Sequence, residues 1–525
     1  MPLILPTTRR ALLYRAAAVA GLAAAAAMPL RRVWAAPRFI NDPFQLGVAS
    51  GDPVPDGFVI WTRLAPDPYD PRALPDEAIE VTWEVAEDEK FRKVAVSGNV
   101  FARPERAHSV HVDVRGLNAD RAYFYRFRCA DVVSRIGRAS TLPPPRSSPD
   151  RLRFAFASCQ NYGQGYFTPF RDMIAQDPRL IAHLGDYIYE VDWGLRIRNA
   201  PVGEARTLDE YRLIHAVYKM DPDLQAAHAH CPWVFTWDDH EVDNDYAGDL
   251  SEAGDDPAVF AQRRIAAYRA YYEHLPLRAV AAPQDNGAMI LFQRFNFGNL
   301  AEFNVLDLRQ YRSNQACETP DWRSGRVVDI SACPDINDPA RTMLGPYQER
   351  WFQLNFARTG SIWTVIAHSL MMMGFDQIPG PARGAYTDNW GAYPAAKRKI
   401  LDQIKARKPA NVVAIGGDIH SYFVGEVKDD DADPASASLI SEFVCTSITS
   451  ESYNTALFES LMAENPNISF VNDRFRGYVL CDLDRTRWLS TLRVIDTVHT
   501  RDGAFRTLAA FAVENGKPGI QPAST

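Results

Sequence analysis

The segment His183-Leu184-Gly185-Asp186-Tyr187-Ile188-Tyr189-Glu190 ends an apolar run and opens an acidic, phenolic loop. Asp186 and Tyr189 stand three residues apart, so in a loop or a first helical turn both side chains can face one point. A carboxylate and a phenol aimed at one point suit a hard, highly charged cation, and ferric iron is the common ion that a phenolate matches. Taken alone, the segment also reads as a strand end followed by a helix cap. Four further apolar runs strengthen the first reading. Phe154–Ala157 runs into Ser158-Cys159-Gln160-Asn161, and Trp233–Trp237 into Asp238-Asp239-His240-Glu241. Ile362–Ala367 runs into His368-Ser369, and Val412–Ile415 into Gly416-Gly417-Asp418-Ile419-His420. Each run is short and apolar enough for a strand covered on both faces. In open α/β sheets ligands collect beyond the carboxyl ends of strands, so loops scattered along the chain can converge in space.

The 525 residues exceed one small core and suggest two domains plus processing segments. Apolar residues at 46% with charged at 23% fit a soluble globular protein. Residues 1–35 hold five arginines and no acid, so the remainder is five charges more negative than the −8 of the whole chain. Such a surface argues against nucleic acid as a partner, and a cleft that attracts phosphate must borrow positive charge from bound cations. Thr8-Arg9-Arg10-Ala11-Leu12-Leu13, the alanine-rich run Ala16–Ala27 and Val33-Trp34-Ala35 read as a twin-arginine signal peptide over residues 1–35. The expectation is export by the twin-arginine translocase to the periplasm or beyond. That route carries folded proteins and suits a chain that takes up its metal in the cytoplasm.

Seven cysteines in an exported chain leave at least one unpaired. Cys317 and Cys333 flank a polar loop and are expected to form a disulfide. Cys159, beside the proposed site, is the natural odd one out. Cys129, Cys231, Cys445 and Cys481 lie in or next to strand-like runs, as buried thiols or further pairs.

Residues 36–146 show short alternating segments with turn residues between them: Val59–Thr62, Ile79–Val85, Val94–Val100, His108–Val114 and Tyr123–Cys129. This is the pattern of a small β-sandwich, and Asn118–Phe127 resembles a late strand of fibronectin-type modules. Four prolines between Leu142 and Pro149 mark a boundary, so a second domain is expected over residues 147–525. There, helical patterns over Thr168–Gln176, Leu208–Ala226, Ala258–His274, Tyr347–Thr359 and Pro394–Arg407 alternate with strands, which argues for an α/β domain. Residues Leu439–Asp496 return to strand-like patterns and suggest a second sheet packed on the first.

As ligands, the groups sort into two sets. Asp186 has two oxygens and can stand between two ions. Tyr189, Cys159 and His420 offer a phenolate, a thiolate and a neutral nitrogen, which together favour trivalent iron. Asp239 and Asp418 remain for a second position beside Asp186, and an all-oxygen set suits calcium or magnesium more than zinc. Asp238 can stand in for its neighbour Asp239. Two cations bridged by one carboxylate are the usual equipment for cutting a phosphate ester, clamping phosphoryl oxygens and turning water into hydroxide. His240 is placed to donate a proton to the leaving group. Asn161, Arg309 and Arg312 sit where phosphate contacts would, and Trp390 and Met371–Met373 either line a cleft or fill the core.

Together these segments resemble the ordered motifs of calcineurin-like metallophosphoesterases. GDYIY, WDDHE, IAHS, GGDIH and SCQN, with the signal and the preceding sandwich, are similar to the alkaline phosphatase D family, including its phospholipase-D-like members. The resemblance implies a four-layer α/β/β/α catalytic domain and an extracytoplasmic phosphomonoesterase and phosphodiesterase containing Fe³⁺ and Ca²⁺. It places Cys159, Asp186, Tyr189 and His420 at the iron, Asp239 and Asp418 with Asp186 at the calcium, and His240 against substrate. His368 matches a histidine that binds metal in purple acid phosphatases, here a ligand or a near-site contact. The expected substrates are small phosphate esters or diesters, phospholipids among them, and the expected state is a monomer. The alternatives are a phospholipase D-type diesterase and an exported binding protein whose metal site is inactive.

Overall fold

The computed structural model describes residues 39–525, apart from 285–286, 320–321, 434, 453–454 and 525. The twin-arginine segment expected over residues 1–35 lies outside the described residues.

The apolar runs form strands, and side-chain alternation along them builds the layers. In Arg151–Ala157, Phe154 and Phe156 serve one face and Ala155 and Ala157 the other. This strand pairs in parallel with Ile181–Leu184, which pairs in parallel with Trp233–Thr236. A second parallel series runs Ala301–Val305, Trp363–Ala367, Val412–Gly416 and Ser438–Val444. Phe154, Phe156, Leu184 and Val234 of the first sheet pack on Phe303, Val365, Val413 and Phe443 of the second, making the central core. Helices Leu208–Lys219, Pro222–His230 and Pro257–His274 cover the outer face of the first sheet through Tyr211, Ile214, Leu224, Phe260 and Tyr268. Helices Gly345–Asn355 and Pro394–Arg407 cover the second through Phe352, Ile400, Leu401 and Ile404. The order of layers is α/β/β/α.

The first sheet has ten strands. Beyond Arg151–Ala157 it continues through Arg476–Asp484, Arg487–Ile495, Phe505–Glu514 and Lys517–Pro522. Beyond Trp233–Thr236 it continues through Val48–Val54, Gly57–Arg63 and Ser109–Val114. The join is parallel, with Gly51 opposite Trp233. A Cβ at Gly51 would stand 2.5 Å from the Pro276 carbonyl oxygen, so this close approach requires glycine. The N-terminal β-rich region is therefore a sandwich with one layer continuous with the large sheet. Its other layer carries Ile79–Ala86, Val94–Ala102 and Ala122–Cys129, and Val81, Val85, Tyr125 and Phe127 meet Phe58, Ile60 and Val110 between the layers. Tyr123 Oη accepts the Asn118 N–H at 2.9 Å and pins the start of its strand.

Two expected elements divide. The single helix expected over Leu208–Ala226 breaks where Asp221 caps a new one, accepting the N–H groups of Asp223 and Leu224, with Pro222 at its first position. The strands of Leu439–Asp496 belong to different sheets, Ser438–Val444 to the second and Arg476–Ile495 to the first. Cys317 and Cys333 are joined with Cα atoms 5.9 Å apart, and the other five cysteines are free and buried. Among the described residues, no helix is long and apolar enough to cross a membrane.

Candidate metal centre

The carboxyl ends of both parallel series open on one side, where a parallel bridge between Ser158 and Ser447 closes the gap between sheets. Cys159, Asp186, Asp418 and His420 follow these ends, and all four have left-handed backbones, with φ of 58°, 56°, 70° and 53°. For a non-glycine residue that conformation costs ~1–3 kcal/mol. Strain repeated at four positions of three converging loops turns four side chains toward one point. Gly185 precedes Asp186 at φ 113°, and a Cβ there would stand 2.5 Å from the Asp238 Cβ.

Ligand atoms of Cys159, Asp186 and His420 lie within 4.8 Å of one another. Tyr189 Oη joins them, donating to Asp186 Oδ2 at 2.8 Å and lying 3.1 Å from His420 Nε2. Asp186, Asp239 and His240 form a second such group, and Asp238, Asp239 and Asp418 a third. Asp186 thus stands between a set bearing sulfur, phenol and nitrogen and a set dominated by carboxylates. Asp186 Oδ1, Asp238 Oδ2 and Asp239 Oδ1 are buried without a hydrogen-bond partner. Orphaned carboxylate oxygens at such depth are costly unless a cation meets them. The donors present therefore fit two unlike metal ions.

Electrostatics agree. Burial, then neighbouring carboxylates, pushes the Asp186 and Asp418 carboxyls well above the usual range. Burial raises Asp238 to about 6 against the pull of Arg309. Asp239 goes the other way, because Arg309 and His240 outweigh its burial. Burial and the nearby Asp186 keep the Cys159 thiol and the Tyr189 phenol protonated. Fixed positive charge inside the cluster opposes each of the upward shifts and reinforces the downward one at Asp239.

A cavity of about 490 Å³ opens over the cluster, lined by Asp186, Asp239, His240, Asp418 and His420. Asn244, Asp245 and Asn389 add polar walls, and Val191, Trp193, Met371 and Phe458 an apolar one. Residues 154–492 match the family described as PhoD-like phosphatase, and residues 29–143 match its N-terminal domain. Alkaline phosphatase D of Bacillus subtilis (strain 168) is 40% identical over 515 residues, which cover 96% of this chain and 86% of that protein. The chain belongs to the PhoD-like phosphatase family. A solved structure of PhoD superposes with a TM-score of 0.89 at 40% identity, covering 93% of this chain and 94% of that one. This PhoD-like phosphatase is a phosphoric ester hydrolase.

Around the candidate ligands this PhoD-like phosphatase has a layer that sequence reasoning missed. Glu190 Oε2 lies 2.8 Å from His240 Nδ1. Ser450 Oγ donates to Tyr189 Oη at 2.7 Å, and the Glu451 carbonyl engages His420 Nδ1 at 2.7 Å, leaving Nε2 to the cluster. Glu241 accepts the backbone N–H groups of Asp186, Tyr187 and Asp238 at 3.2, 2.6 and 2.9 Å, locking two loops together. Glu190 and Glu241 are the last residues of two quoted motifs, and Ser450 follows a further strand end, Ser438–Val444, whose loop was passed over.

Three residues expected at substrate sit elsewhere. Arg309 is fully buried, with Nε 2.5 Å from Asp238 Oδ1 and NH1 3.0 Å from Asp388 Oδ1. It is the internal counter-ion of Asp238 and Asp388, with Asp239 Oδ1 3.6 Å away, and Arg312 joins it at Asp388. His368 is fully buried, with Nε2 3.8 Å from the buried Glu442 Oε1, and stands in no ligand group. Asn161 is also buried, its Oδ1 accepting the Gly163 N–H at 2.9 Å in a turn below the site. Trp390, Met372 and Met373 belong to the core, and of the three methionines Met371 reaches the cavity.

Proposed function

We propose that the enzyme hydrolyses phosphate monoesters and diesters at a pair of unlike cations, ferric iron and calcium. Cys159, Asp186, Tyr189 and His420 would hold the iron, and Asp186, Asp239 and Asp418 the calcium. The observation that carries this reading is the meeting of two different donor sets at Asp186, with three buried carboxylate oxygens lacking partners. Asp239 is favoured over Asp238 because it lines the cavity and stands in two of the ligand groups, whereas Asp238 stands in one and does not line the cavity. When bound, such a pair supplies Lewis acidity toward phosphoryl oxygens and makes water a stronger acid.

The chain's own groups do the rest. His240 faces the cavity and gives a proton to the leaving oxygen. Asn244 and Asn389 offer neutral hydrogen bonds to the ester, and the apolar wall of Val191, Trp193, Met371 and Phe458 receives an organic arm. That wall is what favours diesters alongside monoesters. We further propose export by the twin-arginine translocase, periplasmic or secreted placement, and action as a monomer.

Elemental analysis of protein matured through the export pathway tests the metals. About one iron with calcium is expected, whereas zinc or manganese without iron and calcium would overturn the assignment. Parallel turnover of p-nitrophenyl phosphate, its bis ester and phosphatidylcholine defines the ester class. Turnover confined to phosphatidylcholine would replace this reading by the phospholipase one.

A further inference from the structure

We propose that Trp193 is a specificity-determining residue whose indole face takes a flat aromatic arm of the ester, an aryl group or a nucleobase. The inference deepens the proposed function and rests on it, since it names the organic arm that the apolar wall receives. Trp61, Trp233, Trp237, Trp363, Trp390 and Trp488 are fully buried in the cores. Trp193 is half-buried and lines the cavity instead. Residues 191–206, which carry it, form neither helix nor strand, yet they are firmly tied. The buried Gln164 donates through Nε2 to the Trp193 carbonyl at 2.8 Å and accepts the Glu451 N–H through Oε1 at 2.7 Å. The Leu195 N–H donates to Glu451 Oε2 at 3.2 Å, and the N–H groups of Ile197 and Arg198 share the Gly163 carbonyl at 2.7 and 3.0 Å. Glu451 is also the residue whose carbonyl engages His420. Trp193 is thus fixed to the same support as the cluster and needs little further ordering when a ligand binds.

The indole plane stands 7° from that of the His420 imidazole, with centroids 6.1 Å apart, and the Tyr189 ring lies 6.1 Å away at 60°. The indole therefore extends the side of the cavity that holds the Tyr189 and His420 donors. Phe458 lines the same cavity and is braced by Phe375 and Phe423, with centroids 5.6 and 5.4 Å away. Met371 adds a thioether. An aliphatic arm on this wall gains only from leaving water. An aromatic ring gains in addition the offset stacking and sulfur contacts that indole, phenyl and thioether offer. A volume of about 490 Å³ accommodates an arm of one or two rings beside the phosphoryl group.

Phosphonates test this without any leaving group, because their carbon–phosphorus bond is not hydrolysed. Inhibition of p-nitrophenyl phosphate turnover is measured with methylphosphonate, benzylphosphonate, cyclohexylmethylphosphonate and adenosine 5′-phosphonate, on the unaltered enzyme, Trp193→Leu and Trp193→Phe. The unaltered enzyme is expected to bind benzylphosphonate about 3- to 10-fold more tightly than cyclohexylmethylphosphonate, the range that aromatic pairing adds beyond buried area. Trp193→Leu is expected to remove that preference by weakening benzylphosphonate about 3-fold or more, while methylphosphonate, which has no arm to stack, keeps its Ki. Trp193→Phe, which retains an aromatic face, keeps most of the preference. A parallel loss for adenosine 5′-phosphonate extends the arm to nucleobases, and an unchanged Ki for it confines the arm to aryl groups. Equal inhibition by the benzyl and cyclohexylmethyl compounds in the unaltered enzyme overturns the proposal, because the wall is then apolar without being selective. A preference that survives in Trp193→Leu, or equal weakening of all four compounds there, overturns it as well. Each of these results leaves the metal reading standing. Failure of methylphosphonate to inhibit the unaltered enzyme overturns the proposed ester site and this inference with it. Should Trp193→Leu not fold, the benzyl-to-cyclohexylmethyl comparison in the unaltered enzyme still decides.

Discussion

Two buried clusters of opposite character lie one residue apart in the chain. Asp186 belongs to the acidic loops, where carboxylates crowd beneath a cavity and three oxygens lack partners. Tyr187, next in sequence, points the other way, its hydroxyl 2.7 Å from His228 Nε2 in a basic pocket under the outer helices. There Lys219 Nζ lies 3.2 Å from the same nitrogen, the rings of His215 and His274 stack 4.9 Å apart, and Arg63 reaches His274 at 2.7 Å. The nearest carboxylate, Glu273, is spent on Arg212 and Arg269. Burial holds His183 at about 3 and keeps His215, His228, His274 and Lys219 well below their ordinary values, while Arg63, lowered by burial to about 10, keeps its charge. The acidic cluster opens to a cavity through which cations can neutralise it, whereas the basic cluster is buried and its imidazoles stay neutral. Perturbed titration alone therefore does not mark a site. Orphaned donors beneath an opening do.

The contrast breaks most visibly at Asp186. Asp186→Asn should lower hydrolysis of every ester by more than about 10³-fold, as loss of several kcal/mol of transition-state stabilisation requires, measured as kcat/KM. Activity within tenfold of the unaltered enzyme would remove the acidic cluster from the chemistry. Next comes Arg309, the fixed charge behind the acidic loops. Arg309→Met leaves Asp238 and Asp388 buried without their guanidinium, and equilibrium unfolding should show a loss of ~3–5 kcal/mol.

Acidification probes the basic side. His183 stays neutral in the folded chain down to about 3 and takes its proton near 6.5 when unfolded. Below about pH 6.5 the unfolded state binds more protons, so stability falls as pH falls, by ~1.4 kcal/mol per unit for each such imidazole. Calorimetry should find a clear drop in Tm between pH 7.5 and 5.5. The smallest effect is expected from Lys219→Met, which replaces a buried amine, whose proton affinity burial lowers, by an apolar chain of similar length. Stability at pH 7.5 should hold or rise by ~1 kcal/mol, in contrast to the loss at Arg309.

Much of this was legible in the sequence, for a physical reason. A strand covered on both faces must be apolar, so the first polar residues after it stand out, and Cys159, Asp186, Asp239, Asp418 and His420 were found that way. What residue type and position do not carry is direction. Arg309 follows a strand end as a phosphate contact would, yet its guanidinium turns inward to Asp238 and Asp388. His368 follows its strand end fully buried and does not line the cavity. Alternation in Gly57–Arg63 and Ser109–Val114 announces strands, while their membership in the ten-stranded sheet depends on the parallel pairing of Val48–Val54 with Trp233–Thr236, a contact between distant segments. The break at Asp221-Pro222 was readable, since an N-cap residue before proline starts a helix, but the apolar periodicity running across it hid the stop. Glu190 and Ser450 touch other side chains of the cluster, and a single sequence shows no such contact.

The most direct test of two unlike cations meeting at Asp186 is the visible spectrum of protein matured through the export pathway, recorded beside that of Tyr189→Phe. The account predicts a phenolate-to-iron absorption band that accompanies about one bound iron and disappears in Tyr189→Phe. A colourless, fully active enzyme, or a band unchanged by Tyr189→Phe, would contradict it.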